Sequence, residues 1–286
     1  MSLVYLNGEF IPPDQAKVSV FDRGFIFGDG VYEVIPVFGG RMFRLPHHLA
    51  RLEASLTAIQ LRNPHTARQW NDIFTRLSAN NGTVDQSVYL QITRGVAARD
   101  HAFPPNISPT VFAYASPLNY PPAEQLAKGV AAITTADIRW QRCDIKSIAL
   151  LANALLRQQA IEQGAVEAIL VRDGLMTEGA ASNIFIVSGD RVITPPKGPY
   201  ILPGITRDLV VEIAHSHDID CVEQPVPIGS LRSANEVWMT SSTKEILPIT
   251  RIDSRPVGDG KQGPMHVRVF ALYQQYKQAF IRGEVE

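Results

Sequence analysis

Cysteine is nearly absent from this chain: its 286 residues include two, Cys143 and Cys221. One pair makes no disulfide framework, and a chain of this length buries a sizeable core without one, so a reducing compartment is expected. An excess of charge of one sign is missing too. Lys and Arg together number 27 against 28 Asp and Glu. No broad field therefore exists to recruit nucleic acid or an anionic membrane, and any anion must be recognised locally. Long hydrophobic runs are also lacking. The most apolar helical stretch, Ile148 to Leu156, is far too short to span a bilayer. The opening MSLVYLNGEF has neither a basic n-region nor a long apolar h-region, and a cytoplasmic protein is expected.

The usual nucleotide loops are absent as well. There is no GxxxxGK[ST] and no strand-linked GxGxxG, which removes the P-loop and dinucleotide readings. No HExxH occurs, and His215 and His217 near a helix end lack a third ligand, so no metal site is expected. What is present is a globular composition, 45% hydrophobic and 19% charged, which excludes disorder.

Periodicity predicts two mixed α/β domains. A hairpin over 3–11 turns at Asn7-Gly8. Gly24, Gly28 and Gly30 break the next stretch, and Tyr32 to Phe38 reads as a strand in which Pro36 suggests an edge or a bulge. Helices are expected over 46–60, with Leu49, Leu52, Leu56 and Ile59 on one face, and over about 66–80. Strands at Ser87–Arg94 and Pro109–Ser116 flank GVAARDHAFPPNIS, an irregular loop long enough to suggest a function. Proline-rich 117–122 reads as the linker. The division expected is 1–119, a linker at 120–124, and a larger domain over 125–286. In the latter, strands are predicted at Val130–Thr135 and Asp137–Lys146. Ser147 then caps a helix with Ile148, Leu151, Leu155 and Ile161 on its apolar face, ending near Gly164. A meander over 167–194, a helix over 205–216, a strand over 235–240 and a helix over about 264–281 complete the pass.

Lysine is informative. Of seven lysines, Lys146 alone stands between an apolar strand pattern and an apolar helix pattern, in CDIKSIALLANALL. An amine in partly apolar surroundings can be neutral and attack an aldehyde to form a Schiff base. The same context also suits a lysine reaching from a strand end to water. Glu178 stands just before a strand, where a carboxylate can pair with a protonated pyridine nitrogen or simply occupy a turn. Two segments resemble anion cups: LPGITR (202–207), where a Pro-Gly turn frees the amides of Ile205 and Thr206, and TSSTKE (240–245) with its clustered hydroxyls. Arg51 offers a fixed positive charge to a phosphate. Arg99 and His101 place a guanidinium fork and an imidazole two residues apart, suited to a carboxylate.

Taken together, DRGFIFGDGVYEV (22–34), QITRG with RDHAFP (91–104), DIRWQRCDIKS (137–147), TEGAASN (177–183), LPGITRD (202–208) and MTSSTKEILP (239–248) resemble the fold-type IV pyridoxal phosphate enzymes over nearly the whole chain. The D-amino acid aminotransferases among them are the most similar. The resemblance implies a fold of two α/β domains with pyridoxal 5′-phosphate at the domain interface. It implies Lys146 as the Schiff-base lysine and proton shuttle, Glu178 as partner of the pyridine nitrogen, and Arg51, Ile205, Thr206, Ser241 and Ser242 around the phosphate. Arg139 and Glu167 are implied near the phenolic oxygen, and Tyr32 and Val34 at the substrate pocket. Arg99 and His101 match the pair that grips the substrate's α-carboxylate from the neighbouring subunit, so a homodimer is implied. Ala180, Ala181 and Pro36 depart from the pattern and remove hydrogen bonds near cofactor or substrate.

The implied activity is ping-pong transamination between a D-amino acid, of the D-alanine or D-glutamate type, and pyruvate or 2-oxoglutarate. An L-branched-chain aminotransferase, an aminodeoxychorismate lyase and a non-enzymatic cofactor carrier are the alternatives.

Overall fold

The computed structural model of the chain describes residues 3–79 and 84–286. Two compact units emerge. The first takes Met1–Asn119, Ile145–Leu150 and Phe280–Glu286, and the second takes Tyr120–Asp144 and Leu151–Ala279. Both are mixed α/β.

The first unit opens with strands β1 (Val4–Leu6) and β2 (Glu9–Ile11), paired antiparallel across Asn7 and Gly8. Both turn residues have positive φ, 49° and 101°, the backbone that a tight hairpin demands and that Asn-Gly supplies. A short helix α1 (Arg23–Phe27) follows, running through Gly24 where the glycines had suggested a break. It forms because Asp22 caps it, accepting the Gly24 N–H at 2.7 Å, and it stops at Gly28 in the left-handed conformation. Then come β3 (Gly30–Phe38), β4 (Arg41–Met42), helices α2 (Leu45–Ala58) and α3 (Ala67–Ala79), and strands β5 (Gln86–Thr93) and β6 (Thr110–Pro117). The expected last residue of α3, Asn80, lies outside the described residues. The sheet order is β2-β1-β6-β5-β3-β4.

Alternation along β3 sends Val31, Ile35 and Val37 into the core, where they meet Leu52 and Leu56 of α2 and Trp70, Phe74 and Leu77 of α3. Pro36 is tolerated because β4 pairs only with Val37 and Phe38, so the far side of β3 has no ladder at residue 36.

The second unit contains α4 (Ala123–Lys128), β7 (Val130–Ala136), α5 (Leu151–Glu162), β8 (Glu167–Arg172), β9 (Leu175–Gly179), β10 (Asn183–Ser188), β11 (Arg191–Thr194), α6 (Ile205–Ser216), β12 (Cys221–Glu223), β13 (Val226–Pro227), α7 (Ile228–Arg232), β14 (Glu236–Ser241), β15 (Glu245–Ile252), β16 (Arg255–Pro256) and, up to Ala279, α8 (Pro264–Arg282). Its sheet runs β12-β11-β10-β14-β15-β7-β8-β9-β13, with β16 on β15. The pairs β11/β12, β15/β7 and β7/β8 are parallel. Strands β8 and β10 read as nearly continuous apolar runs because Ile169, Leu170 and Ile184–Val187 are buried on both faces.

Other expectations change as well. Residues 137–146 form no strand: apolar alternation is present, yet Ile138 and Trp140 are exposed and no ladder pairs the segment. Ser147 caps no helix, since it bridges to Val31 of β3 and α5 starts four residues later. The anticipated apolar face of α5 points outward, with Leu151 75% and Leu155 56% exposed, while Leu156 and Ala160 are buried. Lys146 belongs with the first unit rather than the second, because Ile145 joins the first core and the backbone of 146–148 bonds to β3. Tyr120 joins the second unit, where its hydroxyl accepts from Lys277 Nζ at 2.8 Å.

Among the described residues no helix is long and apolar enough to cross a membrane.

Candidate active site

Lys146 is fixed by its backbone. Its carbonyl accepts the Tyr32 N–H at 3.0 Å, and the next residue but one, Ile148, donates to Gly30 O at 3.1 Å. Its own N–H donates to Ser55 Oγ at 3.2 Å. These bonds attach the segment to the beginning of β3 and leave the side chain half-buried. Its Nζ lies 4.1 Å from the centroid of the Tyr32 ring. No carboxylate among the described residues pairs with it. Held beside an aromatic face with no carboxylate in contact, the amine is placed as a candidate nucleophile.

Arg51 comes from α2 and is buried. It grips Glu33 of β3 with two parallel bonds, Nε to Oε1 at 2.8 Å and Nη2 to Oε2 at 2.7 Å. His48 Nδ1 donates to Glu33 Oε2 at 2.8 Å. Burial alone would raise the Glu33 pKa, but Arg51 and His48 together hold it well below the ordinary carboxylate range. Burial lowers the pKa of His48, and the nearby charges of Arg51 and Lys146 push the same way against Glu33.

The other face of β3 carries Tyr32 and Val34, both half-buried. Tyr32 stacks on Tyr89 of β5 at 5.9 Å, and Tyr89 continues to Tyr114 of β6 at 5.4 Å. Burial pushes the Tyr89 hydroxyl up to about 12, with Tyr32 and Tyr114 adding to it. That hydroxyl stays protonated and donates to Gln91 Oε1 at 2.8 Å.

Arg99 and His101 are exposed on the loop between β5 and β6. Both pack on Phe27, the guanidinium carbon 5.3 Å and the imidazole 5.4 Å from its ring centroid. The structure therefore places both against one ring.

In the second unit, Glu178 is 4% exposed at the end of β9. Arg139 Nη1 donates to its Oε1. Asn183 Nδ2 and the Leu202 N–H both reach Oε2 at 3.0 Å. Burial dominates and, with the charge of Asp137 nearby, pushes the Glu178 pKa up to about 7 against the pull of Arg139. Arg139 commits Nε and Nη2 to Asp137, each at 2.9 Å.

Asn183 also donates to Leu202 O at 2.9 Å, which holds the Pro-Gly turn against β10. A Cβ at Gly204 would lie 1.9 Å from Asn183 Oδ1, so the turn needs glycine for close approach. Helix α6 starts at Ile205, and its first intrahelical bond is the Asp208 N–H to Gly204 O. The amides of Ile205 and Thr206 thus have no partner within the helix and sit at its positive end.

Ser241 ends β14 and Ser242 opens the turn to β15, which is tightened by the Lys244 N–H on Ser241 Oγ at 3.2 Å. Beside them the buried Thr240 Oγ1 has no hydrogen-bond partner among the described residues. Glu167 is fully buried on β8. It accepts from Ser182 Oγ at 2.7 Å and from the Ala180 and Ala168 N–H groups at 3.1 and 3.0 Å. The backbone of Ala180 thus serves this carboxylate where its side chain has no donor.

Glu33, His48, Asn183, Asp137 and Phe27 were not singled out in the sequence. One signal existed for Glu33: alternation along VYEVI puts it on the buried face of its strand, and a buried carboxylate requires partners.

The comparisons with known proteins agree on an aminotransferase. The family model described as amino-transferase class IV matches residues 30–252. A D-alanine aminotransferase of Staphylococcus haemolyticus is 41% identical over 277 residues, 96% of this chain and 98% of that protein. One of Bacillus licheniformis is 40% identical over 271 residues, 95% of each. Among solved structures, a branched-chain amino acid aminotransferase of Escherichia coli has a TM-score of 0.90 at 27% identity, covering 100% of this chain and 96% of that one. A T.th. branched-chain amino acid aminotransferase with pyridoxamine 5′-phosphate has a TM-score of 0.89 at 26% identity, covering 99% and 95%.

Proposed function

The chain belongs to the class IV aminotransferases, and from that premise we propose that it transfers the amino group of a D-amino acid, of the D-alanine or D-glutamate type, to a 2-oxo acid such as pyruvate or 2-oxoglutarate. Pyridoxal 5′-phosphate is the cofactor in this reading, and the donor set fits it. Lys146 has the unpaired amine, and Glu178 is a buried carboxyl with a pKa near 7, suited to sharing a proton with a pyridine nitrogen. The free amides of Ile205 and Thr206, the hydroxyls of Ser241 and Ser242 and the cation of Arg51 suit a phosphate. Arg139 and Glu167 serve the phenolic edge.

When bound, the cofactor supplies an electron sink conjugated to the substrate's α-carbon. The remaining work falls to the chain. Lys146 Nζ takes the proton from the substrate Cα. Tyr32 and Val34 border the side-chain pocket and exclude water from it. Arg99 and His101 capture the α-carboxylate. The donor leaves as its 2-oxo acid before the acceptor enters, so both half-reactions use the same residues.

The single observation that carries the D-specific reading is the pairing of Arg99 and His101 on Phe27, in a chain 41% identical to a D-alanine aminotransferase along 96% of its length. The test is a half-reaction. D-alanine is expected to bleach the cofactor absorbance of the purified holoenzyme, and L-valine and L-leucine are expected not to. Bleaching by the L-amino acids alone would transfer the reading to branched-chain substrates. Borohydride reduction followed by peptide mapping is expected to find the adduct on Lys146.

The reading includes a homodimer in the cytoplasm. Exposed apolar side chains on α1 and its approach (Phe21, Phe25) and on α5 (Leu151, Leu155) support burial against a second copy. The buried free thiols of Cys143 and Cys221 suit a reducing compartment. A Lys146→Ala protomer paired with an Arg99→Ala protomer is expected to regain one normal site, since each chain lends its loop to the other. A hybrid that keeps the Arg99→Ala defect would show that the loop serves its own chain.

A further inference from the structure

The irregular stretch between β5 and β6 carries Arg99 and His101 without forming a helix or strand, and 98–103 are exposed. Something other than a ladder must hold them. The buried side chain of Arg23, 3% exposed at the start of α1, reaches the loop from beneath. Its Nη1 donates to Asp100 O at 2.5 Å and Ala102 O at 3.3 Å, and Nη2 donates to His101 O at 3.5 Å. Three successive carbonyls thus converge on one guanidinium. The loop returns a bond of its own, since the Ala102 N–H donates to Asp100 Oδ1 at 3.2 Å.

The arginine is itself immobilised. Its Nε and that of Arg94 both donate to Asp29 Oδ2 at 2.8 Å. Arg94 in turn donates to Ile59 O at 2.7 Å and lies 3.5 Å from the ring centroid of Phe103 in the same loop. The helix that carries Arg23 is pinned as well. Asp22 spends one oxygen on the Gly24 N–H and the other on Thr110 Oγ1 at 2.6 Å, and a Cβ at Gly24 would meet Thr93 Cγ2 at 2.2 Å. One turn along α1, Phe27 receives the guanidinium of Arg23 at 4.8 Å along with the side chains of Arg99 and His101.

We infer that Arg23 is a positioning residue for substrate recognition: its hold on the carbonyls of 100–102, with Phe27 as the platform above it, presets Arg99 and His101 for the α-carboxylate. This rests on the reading of those two residues given above. A loop ordered in advance does not charge its ordering entropy to each binding event. Releasing it weakens capture of the carboxylate and leaves proton transfer at Lys146 untouched. The signature is therefore a rise in KM for the amino acid with kcat preserved.

Arg23→Lys is the primary variant. It keeps the cation that Asp29 requires, but an ammonium is a point donor and does not span three carbonyls as a planar fork does. In the holoenzyme at saturating 2-oxo acid, KM for D-alanine is expected to rise about tenfold with kcat within about twofold, and amide exchange over 98–104 is expected to quicken. Phe27→Leu, which removes no charge and tests the platform if the lysine variant fails to fold, is expected to raise KM by a smaller factor with kcat preserved. Arg99→Ala separates the two claims. If it raises KM while Arg23→Lys and Phe27→Leu change neither KM nor loop exchange, the positioning role is wrong and the carboxylate reading stands. If Arg99→Ala leaves KM unchanged, the carboxylate reading fails and this inference falls with it. A drop in kcat at unchanged KM in Arg23→Lys also overturns it.

Discussion

Two buried glutamates, one in each unit, face an arginine and end with opposite acidities. Glu33 is held well below the ordinary range, whereas Glu178 is pushed up to about 7. Both have burial working against their charge, so burial does not separate them. Donor count does. Arg51 gives Glu33 two parallel bonds and His48 adds a third. Arg139 gives Glu178 one nitrogen while Nε and Nη2 serve Asp137, whose own charge then repels Glu178. An arginine nearby is thus no guarantee of an ionised partner; what matters is how much of the guanidinium remains for it.

The largest expected effect follows directly. Glu33→Ala removes the carboxylate that a buried guanidinium grips with two bonds and should destabilise the apoprotein by about 3–5 kcal/mol, the usual cost of breaking one side of a buried pair. Glu178→Ala should cost clearly less, because Arg139 keeps both bonds to Asp137. Urea midpoints of the two variants check this, and equal losses would break the comparison.

The pH dependence sharpens it, since the two groups have opposite signs. Glu33 has a lowered folded pKa, so its contribution is present above its unfolded value of 4.5 and disappears as pH falls through the folded one. Glu178 has a raised folded pKa. Between its unfolded value of 4.5 and about 7 the folded chain holds a proton that the unfolded chain has released, so stability declines as pH rises across that window. The total is on the order of 3 kcal/mol. Glu178→Gln should flatten that decline in apoprotein melts from pH 4.5 to 7, and Glu33→Gln should leave it in place.

Neither pair was legible in the sequence, and the reason is distance along the chain. Glu33 and Arg51 are 18 residues apart on a strand and a helix, and Arg139 and Glu178 are 39 apart. Arg23 meets carbonyls 77 to 79 residues away. Periodicity reports local geometry only. Where the determinant is local, the reading was close: the Asn7-Gly8 turn, helix α2 with its Leu52 and Leu56 stripe, and α6 beginning at Ile205 after a Pro-Gly turn. Where the determinant is tertiary, it failed. Residues 137–146 alternate like a strand, but Asp137 and Arg139 are committed to each other, and Arg139 also to Glu178. Helix α5 carries two apolar stripes, and its own sequence does not say that Leu156 and Ala160 face inward while Leu151 and Leu155 stay exposed. The motif segments were visible; the partners that tune their residues were not.

The smallest effect tests the cause assigned to the contrast. The Asp137 side chain is fully buried and also accepts Thr177 Oγ1 at 3.1 Å, so Asp137→Asn keeps the shape and one acceptor while deleting a charge. Arg139 then has no other carboxylate to neutralise, and the repulsion on Glu178 vanishes. The Glu178 pKa should fall by about one unit, roughly 1.4 kcal/mol. Its protonated carboxyl stretch, isolated by infrared difference against Glu178→Gln, should disappear at correspondingly lower pH. Should the band titrate where it does in the parent protein, burial alone sets the acidity of Glu178, and the sharing of Arg139 is structural rather than electrostatic.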